Sequence, residues 1–238
     1  MPADHPVLSV DQLVAGRGDP VLVVDFVQFS AARQLSEELA EHAGDRPVHR
    51  IDPVTDLARD PDYRPFGALV DGYAALCRER GLGGGRLTVV GQCSAAPLAA
   101  ALAGRLGGPD RVRPVLVEPR WPDAAMVAGD LRTFRTELGA DPGPGPAPDA
   151  DPARALRRMA ALLREDLQAM ARRDQLDPAS AVLADLLARY RAWLGFLLAS
   201  SAAPAPAGPP VVVPAADTGG PLAQRVLACA WSDRDPAA

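Results

Sequence analysis

The chain has 238 residues, of which 48% are hydrophobic, so it can form one α/β domain with an insertion or two small domains. Its net charge of -5 argues against broad electrostatic binding to nucleic acid or to an anionic membrane. Three cysteines without metal-like spacing favour a reducing cytoplasm over a disulfide framework or a metal site. We find no secretory signal and no apolar run of the ~18 residues that a membrane span needs, so we expect a cytoplasmic location.

In the first part of the chain, short apolar runs typical of buried parallel strands alternate with helical patterns. A helix is expected after Ser30, which is a residue type that caps helices, and the proline-rich residues 52–65 predict a loop. The predicted strands are 21–24, 47–51, 87–90 and 115–117, and further helices are 67–80 and 95–106. This alternation predicts a doubly wound, mostly parallel sheet.

The alternation then stops at residues 141–152, which are rich in Pro, Gly and Asp and predict a linker. Two strongly amphipathic helices follow, and the second is expected to begin at Asp177-Pro178, with the aspartate as N-cap. After a second linker, Val211–Val213 predicts a return to the core sheet and 221–231 a last helix. We therefore predict an α/β core from 1–140 and 203–238, and a helical lid insertion from 141–202.

The sequence Gly91-Gln92-Cys93-Ser94-Ala95 lies between a predicted strand and a predicted helix. A nucleophile elbow needs this order, with small residues two positions before and after the nucleophile. Gly91 and Ala95 satisfy that need around Cys93, and the helix dipole is expected to lower the pKa of its thiol. The alternative is a small buried cysteine that fills a tight turn.

From residues 20 to 231 the chain resembles the thioesterases of non-ribosomal peptide and polyketide assembly lines. The resemblance implies an α/β-hydrolase-like fold and acyl transfer in secondary metabolism, from the phosphopantetheine thioester of an acyl or peptidyl carrier protein, with no cofactor or metal. Cys93 would be the nucleophile, and the N–H of Ser94 and an N–H of the Val27–Gln28 turn would form the oxyanion hole. Glu118 and Asp217 lie where the family places its catalytic acid.

The chain departs from this family in several positions. It has Cys93 for the usual serine and Ala95 for the usual glycine, and the loop after 21–24 lacks the family's glycines. The family's catalytic histidine follows the helix predicted here at 221–231, whereas this sequence has histidines only at 5, 42 and 49, so we expect a C-terminally shortened core. Three functions stay open: a Cys93 acyl-transfer enzyme; a catalytically inactive protein that binds an acyl chain, carrier protein or biosynthetic partner; and a dienelactone-hydrolase-like esterase.

Overall fold

The computed structural model describes residues 8–27, 34–141, 143, 149–205, 210–214 and 220–230. In these residues six strands form one sheet in the order β1-β3-β2-β4-β5-β6. The strands are β1 (Asp11–Val14), β2 (Val21–Val24), β3 (Val48–Ile51), β4 (Leu87–Gln92), β5 (Val112–Val117) and β6 (Val211–Val213). The helices are α1 (Leu35–His42), α2 (Pro53–Ala58), α3 (Phe66–Glu79), α4 (Ala96–Leu106), α5 (Ala124–Glu137), α6 (Pro152–Arg173), α7 (Ala181–Ser200) and α8 (Leu222–Cys229), with one 3₁₀ turn at Cys93–Ala95.

The sheet is parallel except for β1, which pairs antiparallel with β3. All four residues of β2 are buried, as is typical of a strand covered on both faces. Helices α1 and α8 cover the face that presents Val21 and Val90, whereas α4 lies against the other face, where a side chain at Gly91 would meet Ala99. The predicted doubly wound, mostly parallel sheet is therefore confirmed.

Three elements were not predicted, and each has a weak local pattern. Strand β1 is half-exposed and pairs only with β3, so it lacks a continuous apolar run. Helix α2 has only six residues and lies inside the segment predicted to be a loop. Helix α5 mixes glycine, threonine and charged residues around a narrow buried side.

Two predicted helix starts were wrong. Helix α1 begins at Leu35 with Gln34 as its N-cap, and Ser30 lies outside the described residues. Helix α7 begins at Ala181 rather than at Pro178, because the Ser180 hydroxyl accepts a hydrogen bond from the Leu183 N–H. The Asp177 side chain instead accepts from the Ala179 N–H within the preceding turn.

The chain divides into two compact units. The sheet unit contains Leu8–Pro53, Phe66–Trp121 and the described part of Ala203–Ala238. In the helical unit, Val54–Pro65 groups with Pro122–Ala202, so α5 joins the two helices of the expected insertion. The boundary at residue 141 stays a prediction.

Helices α5, α6 and α7 pack through both apolar and polar contacts. The Trp193 indole N–H donates to Asp130 Oδ2 at 2.6 Å, and the rings of Phe134 and Tyr190 stack at 4.1 Å, which joins α7 to α5. A side chain at Gly195 would approach Leu156 to 3.2 Å, so α6 and α7 lie close at this point. Among the described helices, we find none whose length and apolarity would allow it to cross a membrane.

Candidate active site at the strand–helix elbow

Cys93 follows buried strand β4 directly and is the first residue of the 3₁₀ turn that leads into α4. Its φ angle is 48°, in the left-handed region that residues with a side chain seldom occupy. Such strained residues persist only where the surrounding structure holds them, and they cluster at functional sites. The strand, strained residue and helix occur in the order that a nucleophile elbow requires.

Packing around Gly91 explains why this turn needs a glycine two positions before Cys93. A Cβ atom at Gly91 would lie 2.5 Å from the Ala99 Cβ and 3.0 Å from the Ala95 carbonyl oxygen. Ala95 is itself completely buried. The predicted elbow residues Gly91 and Ala95 therefore let α4 pack directly against β4, while Gln92 is the last residue of the strand.

Glu118 is the residue that follows β5, and its φ angle of 43° is also left-handed. Gln92 pairs with Val117 in the register of β4 and β5, so Glu118 follows β5 where Cys93 follows β4. The Glu118 N–H donates to the Val213 carbonyl at 3.2 Å, and two residues later the Arg120 N–H donates to the Cys93 carbonyl at 3.1 Å. The strained turn at Glu118 thus lets the chain after β5 return to Cys93.

The protonation of the Cys93 thiol differs from the expectation based on the helix dipole. Burial raises the pKa of this thiol, the nearby Arg120 guanidinium lowers it, and the Glu118 carboxylate raises it again. The net direction is upward, so the predicted lowering of the Cys93 pKa was wrong. The reason is that a half-buried thiol loses more hydration than the nearby cation restores.

The predicted oxyanion donors have different surroundings. Ser94 is buried and follows Cys93 directly in the 3₁₀ turn. The Val27 N–H donates to the Asp52 Oδ2 atom at 3.3 Å, and Asp52 is itself a buried residue at the end of β3. Gln28 lies outside the described residues, as does the predicted acid Asp217.

The two histidines in the described residues lie far from Cys93. His49 pairs with Leu22 across β3 and β2, and Leu22 pairs with Val89, which is four residues before Cys93. This register separates His49 from Cys93 by about 13 Å along the strands and about 10 Å across two strand spacings. His42 is exposed at the end of α1, the end from which the chain leads into the start of β3. His5 lies outside the described residues.

The other two cysteines do not resemble Cys93. Cys77 is completely buried in α3, and burial raises the pKa of its thiol to about 12. Cys229 is partly buried against the apolar core at the end of α8. Within the described part of the chain, His, Cys, Asp and Glu side chains form no group of three that could hold a metal ion.

The comparison with protein-family models gave no match, and no curated protein sequence matched either. Several solved structures resemble the chain. It covers 15% of holo-AB3403, a four-domain nonribosomal peptide synthetase bound to AMP and glycine, with 81% of this chain aligned at 18% identity and a TM-score of 0.50.

Two other solved structures align with most of the chain. The NocB thioesterase domain, in covalent complex with a fluorophosphonate nocardicin G analog, aligns with 87% of this chain and 76% of its own at 16% identity, with a TM-score of 0.48. An alpha/beta hydrolase fold protein from Burkholderia ambifaria aligns with 86% and 75% at 16% identity, with a TM-score of 0.48. The mostly parallel sheet, its strand order and the elbow between β4 and α4 are those of an α/β-hydrolase-like fold.

Sequence reasoning missed two residues of this site, Arg120 and Asp52. Arg120 is two residues beyond a predicted acid and carries no motif of its own, and Asp52 was assigned to a loop. Their roles depend on hydrogen bonds to Cys93 and Val27, which are more than twenty residues away along the chain. One local signal could have drawn attention to both residues. Each comes shortly after the carboxyl end of a parallel strand, and such ends gather at one edge of the sheet.

Proposed function

We propose that this chain is a thioesterase-like acyl-transfer protein that accepts an acyl or peptidyl group from a carrier-bound thioester onto Cys93. The observation that carries the proposal is the strained Cys93 between β4 and α4, because left-handed residues with a side chain cost stability and cluster at functional sites. The likeness to a synthetase of nonribosomal peptides supports a carrier protein as the partner and a role in secondary metabolism. The cytoplasmic location is proposed from the sparse cysteines of the sequence.

The proposed step exchanges one thioester for another. The Cys93 thiol loses its proton to the Glu118 carboxylate, and the sulfur attacks the thioester carbonyl carbon. The oxyanion that forms is stabilised by the Ser94 N–H, as in other elbows. The bond to the carrier's sulfur then breaks, and the leaving thiolate takes the proton from Glu118. A new thioester on Cys93 and a free carrier thiol result, with no net change in charge.

Release of the acyl group by water needs a base that can activate water. A carboxylate such as that of Glu118 is a weaker base than an imidazole, and neither described histidine is close enough to Cys93 to act instead. We therefore propose that the acyl group stays on Cys93 until an amine, alcohol or thiol accepts it. We also propose Asp217 as a second acidic residue of the site.

A second candidate function is a non-catalytic hydrolase-fold protein that binds an acyl chain, a carrier protein or a biosynthetic partner. The specific observation in its favour is the raised pKa of Cys93, since a protonated thiol is a poor nucleophile. In this case the elbow would be a retained part of the fold, and Cys93 would be needed only for packing.

Intact-protein mass spectrometry decides between the two candidates. The protein is incubated with a panel of acyl-N-acetylcysteamine thioesters, and the wild type is compared with Cys93→Ala. We expect an acyl adduct on the wild type that is absent from Cys93→Ala and that decays over hours rather than seconds.

Cys229→Ala is the matched control, because Cys229 is also partly buried but lies at the end of α8. It should form the adduct at the wild-type rate. If folded wild-type protein forms no adduct with any acyl group, the acyl-transfer proposal is wrong and the binding function replaces it.

A further inference from the structure

Arg120 is held at the elbow by its own backbone. Its N–H donates to the carbonyl oxygen of Cys93 at 3.1 Å, and the same oxygen accepts a hydrogen bond from the Ala96 N–H. The chain reaches this position through the left-handed Glu118, whose N–H donates to the Val213 carbonyl, so the backbone leading to Arg120 is also held. The Cα atom of Arg120, from which its side chain extends, is therefore held in place relative to Cys93.

The guanidinium group of Arg120 is available for a ligand. Its side chain is exposed, and within the residues that the structure describes it forms no ion pair, although Glu118 is only two residues away. It is close enough to Cys93 to act on the charge of the thiol. Arg120 is thus a cation whose backbone is held at the elbow, which forms no ion pair among the described residues and which lies near a candidate nucleophile. Such a cation suits a negative charge that appears during reaction.

The second predicted oxyanion donor already has a hydrogen-bond partner. The Val27 N–H, which would be the second oxyanion donor, donates to the carboxylate of Asp52 at 3.3 Å. Asp52 is buried, and so is Asp25, whose carboxylate accepts from the N–H groups of Phe26 and Ser36. These buried carboxylates accept hydrogen bonds from the N–H groups of Phe26, Val27 and Ser36, and their negative charge disfavours an oxyanion beside Val27.

We propose that Arg120, rather than the loop after β2, provides the second stabilising group for the oxyanion that forms when Cys93 attacks a thioester. This inference rests on the proposed acyl transfer. In the addition step the carbonyl π electrons move to oxygen as the sulfur–carbon bond forms, and the guanidinium N–H groups and the Ser94 N–H donate to that oxygen. Collapse of the intermediate returns the electrons and expels the carrier thiolate, so Arg120 itself gains and loses nothing.

Two reactions of Cys93 separate this role from a general effect on the thiol. Iodoacetamide alkylates the thiolate without forming an oxyanion, whereas an acyl-N-acetylcysteamine thioester must form one. Both rates are measured at several pH values on wild type, Arg120→Gln and Arg120→Lys, with folding checked by thermal unfolding. Arg105→Gln is the control, because Arg105 is also exposed but forms an ion pair with Asp71 on α3.

We expect Arg120→Gln to slow alkylation by about threefold, since it removes one exposed positive charge near the thiol. Acylation should fall further, by about ten- to hundredfold, because an oxyanion donor is also lost. Arg120→Lys should recover part of the acylation rate, and Arg105→Gln should change neither rate.

Equal losses of acylation and alkylation in Arg120→Gln overturn the inference while the proposed function stands. Unchanged rates in that variant overturn it as well. A wild type that is alkylated at Cys93 but never acylated overturns the proposed function, and the inference falls with it.

Discussion

At the scale of single residues, the elbow depends on the glycine at position 91, two residues before Cys93. A Cβ atom added at this position would meet the Ala99 Cβ, the Ala95 carbonyl oxygen and the Ala96 Cα at 2.5, 3.0 and 3.1 Å. Two of these atoms belong to the backbone, so no flexible side chain can move aside. The identity of residue 91 is thus set by the distance between β4 and α4.

Gly91→Ala should therefore lower the free energy of unfolding by about 1–3 kcal/mol, because the overlap forces α4 away from β4. The measurement is urea unfolding followed by circular dichroism. Gly104→Ala is the matched control in α4, since a Cβ there meets nothing within 4 Å, and it should be neutral or stabilising by up to about 1 kcal/mol. Equal stability of the two variants would contradict the packing argument.

Strain at Cys93 and Glu118 is the second feature at this scale. Both have left-handed φ angles, and they follow neighbouring strands at the same edge of the sheet. Each costs the fold about 1–3 kcal/mol. The hydrogen bonds of Arg120 to Cys93 and of Glu118 to Val213 hold the two residues in place, which links the local strain to the register of β4, β5 and β6.

At the scale of secondary-structure elements, the helical unit is held together by more than its amphipathic helices. Helix α6 has the regular buried spacing of Leu156, Met159, Leu163 and Leu167, which the sequence indicated. Helix α5 has a weaker pattern and is joined to α7 by the Trp193–Asp130 hydrogen bond and by the stacked rings of Phe134 and Tyr190. Polar and aromatic contacts thus compensate for the small apolar side of α5.

Asp130→Ala is expected to destabilise the protein by about 1–2 kcal/mol, because it removes a charged acceptor and leaves the Trp193 indole N–H without it. Thermal unfolding monitored by tryptophan fluorescence measures the effect. Asp185→Ala is the comparison, since Asp185 is exposed on α7 and, among the described residues, pairs with Arg189 one turn away. A change within about 0.5 kcal/mol is expected. A similar loss in both variants would mean that α5 is not specifically joined to α7.

At the scale of the whole molecule, His49 couples the stability of the fold to pH. It is only 7% exposed within the sheet, and its Nδ1 atom finds no hydrogen-bond partner among the described residues. Burial, followed by the charge of Arg80, lowers the pKa of this imidazole. The folded protein therefore binds fewer protons at His49 than the unfolded chain does.

Because the unfolded chain takes up the proton first, the contribution of His49 to stability is complete above the ordinary histidine pKa of about 6.5 and is lost as the pH falls below it. Urea midpoints at pH 8, 7, 6 and 5.5 should decrease at the acid end for wild type. His49→Gln should flatten this decrease, whereas His42→Gln, which changes an exposed residue, should keep it. An unchanged slope in His49→Gln would show that other groups cause the acid sensitivity.

The sequence by itself determined the parts of this protein that depend on near neighbours. The continuous apolar runs of β2 and β4, the spacing of α6 and the small residues around Cys93 are local patterns, and each is found where it was predicted. They suffice for the fold class and for the elbow, because a buried strand, a tight turn and an amphipathic helix are each set by residues a few positions apart.

Only the tertiary structure decided what surrounds Cys93. The register of β4 and β5 places Glu118 beside it, the turn after β5 brings Arg120 to its carbonyl, and Asp52 engages the Val27 N–H from a neighbouring strand. It also decided that the thiol pKa rises, since burial outweighs the nearby cation. These features depend on contacts between residues more than twenty positions apart, and no local pattern of residue types contains that information.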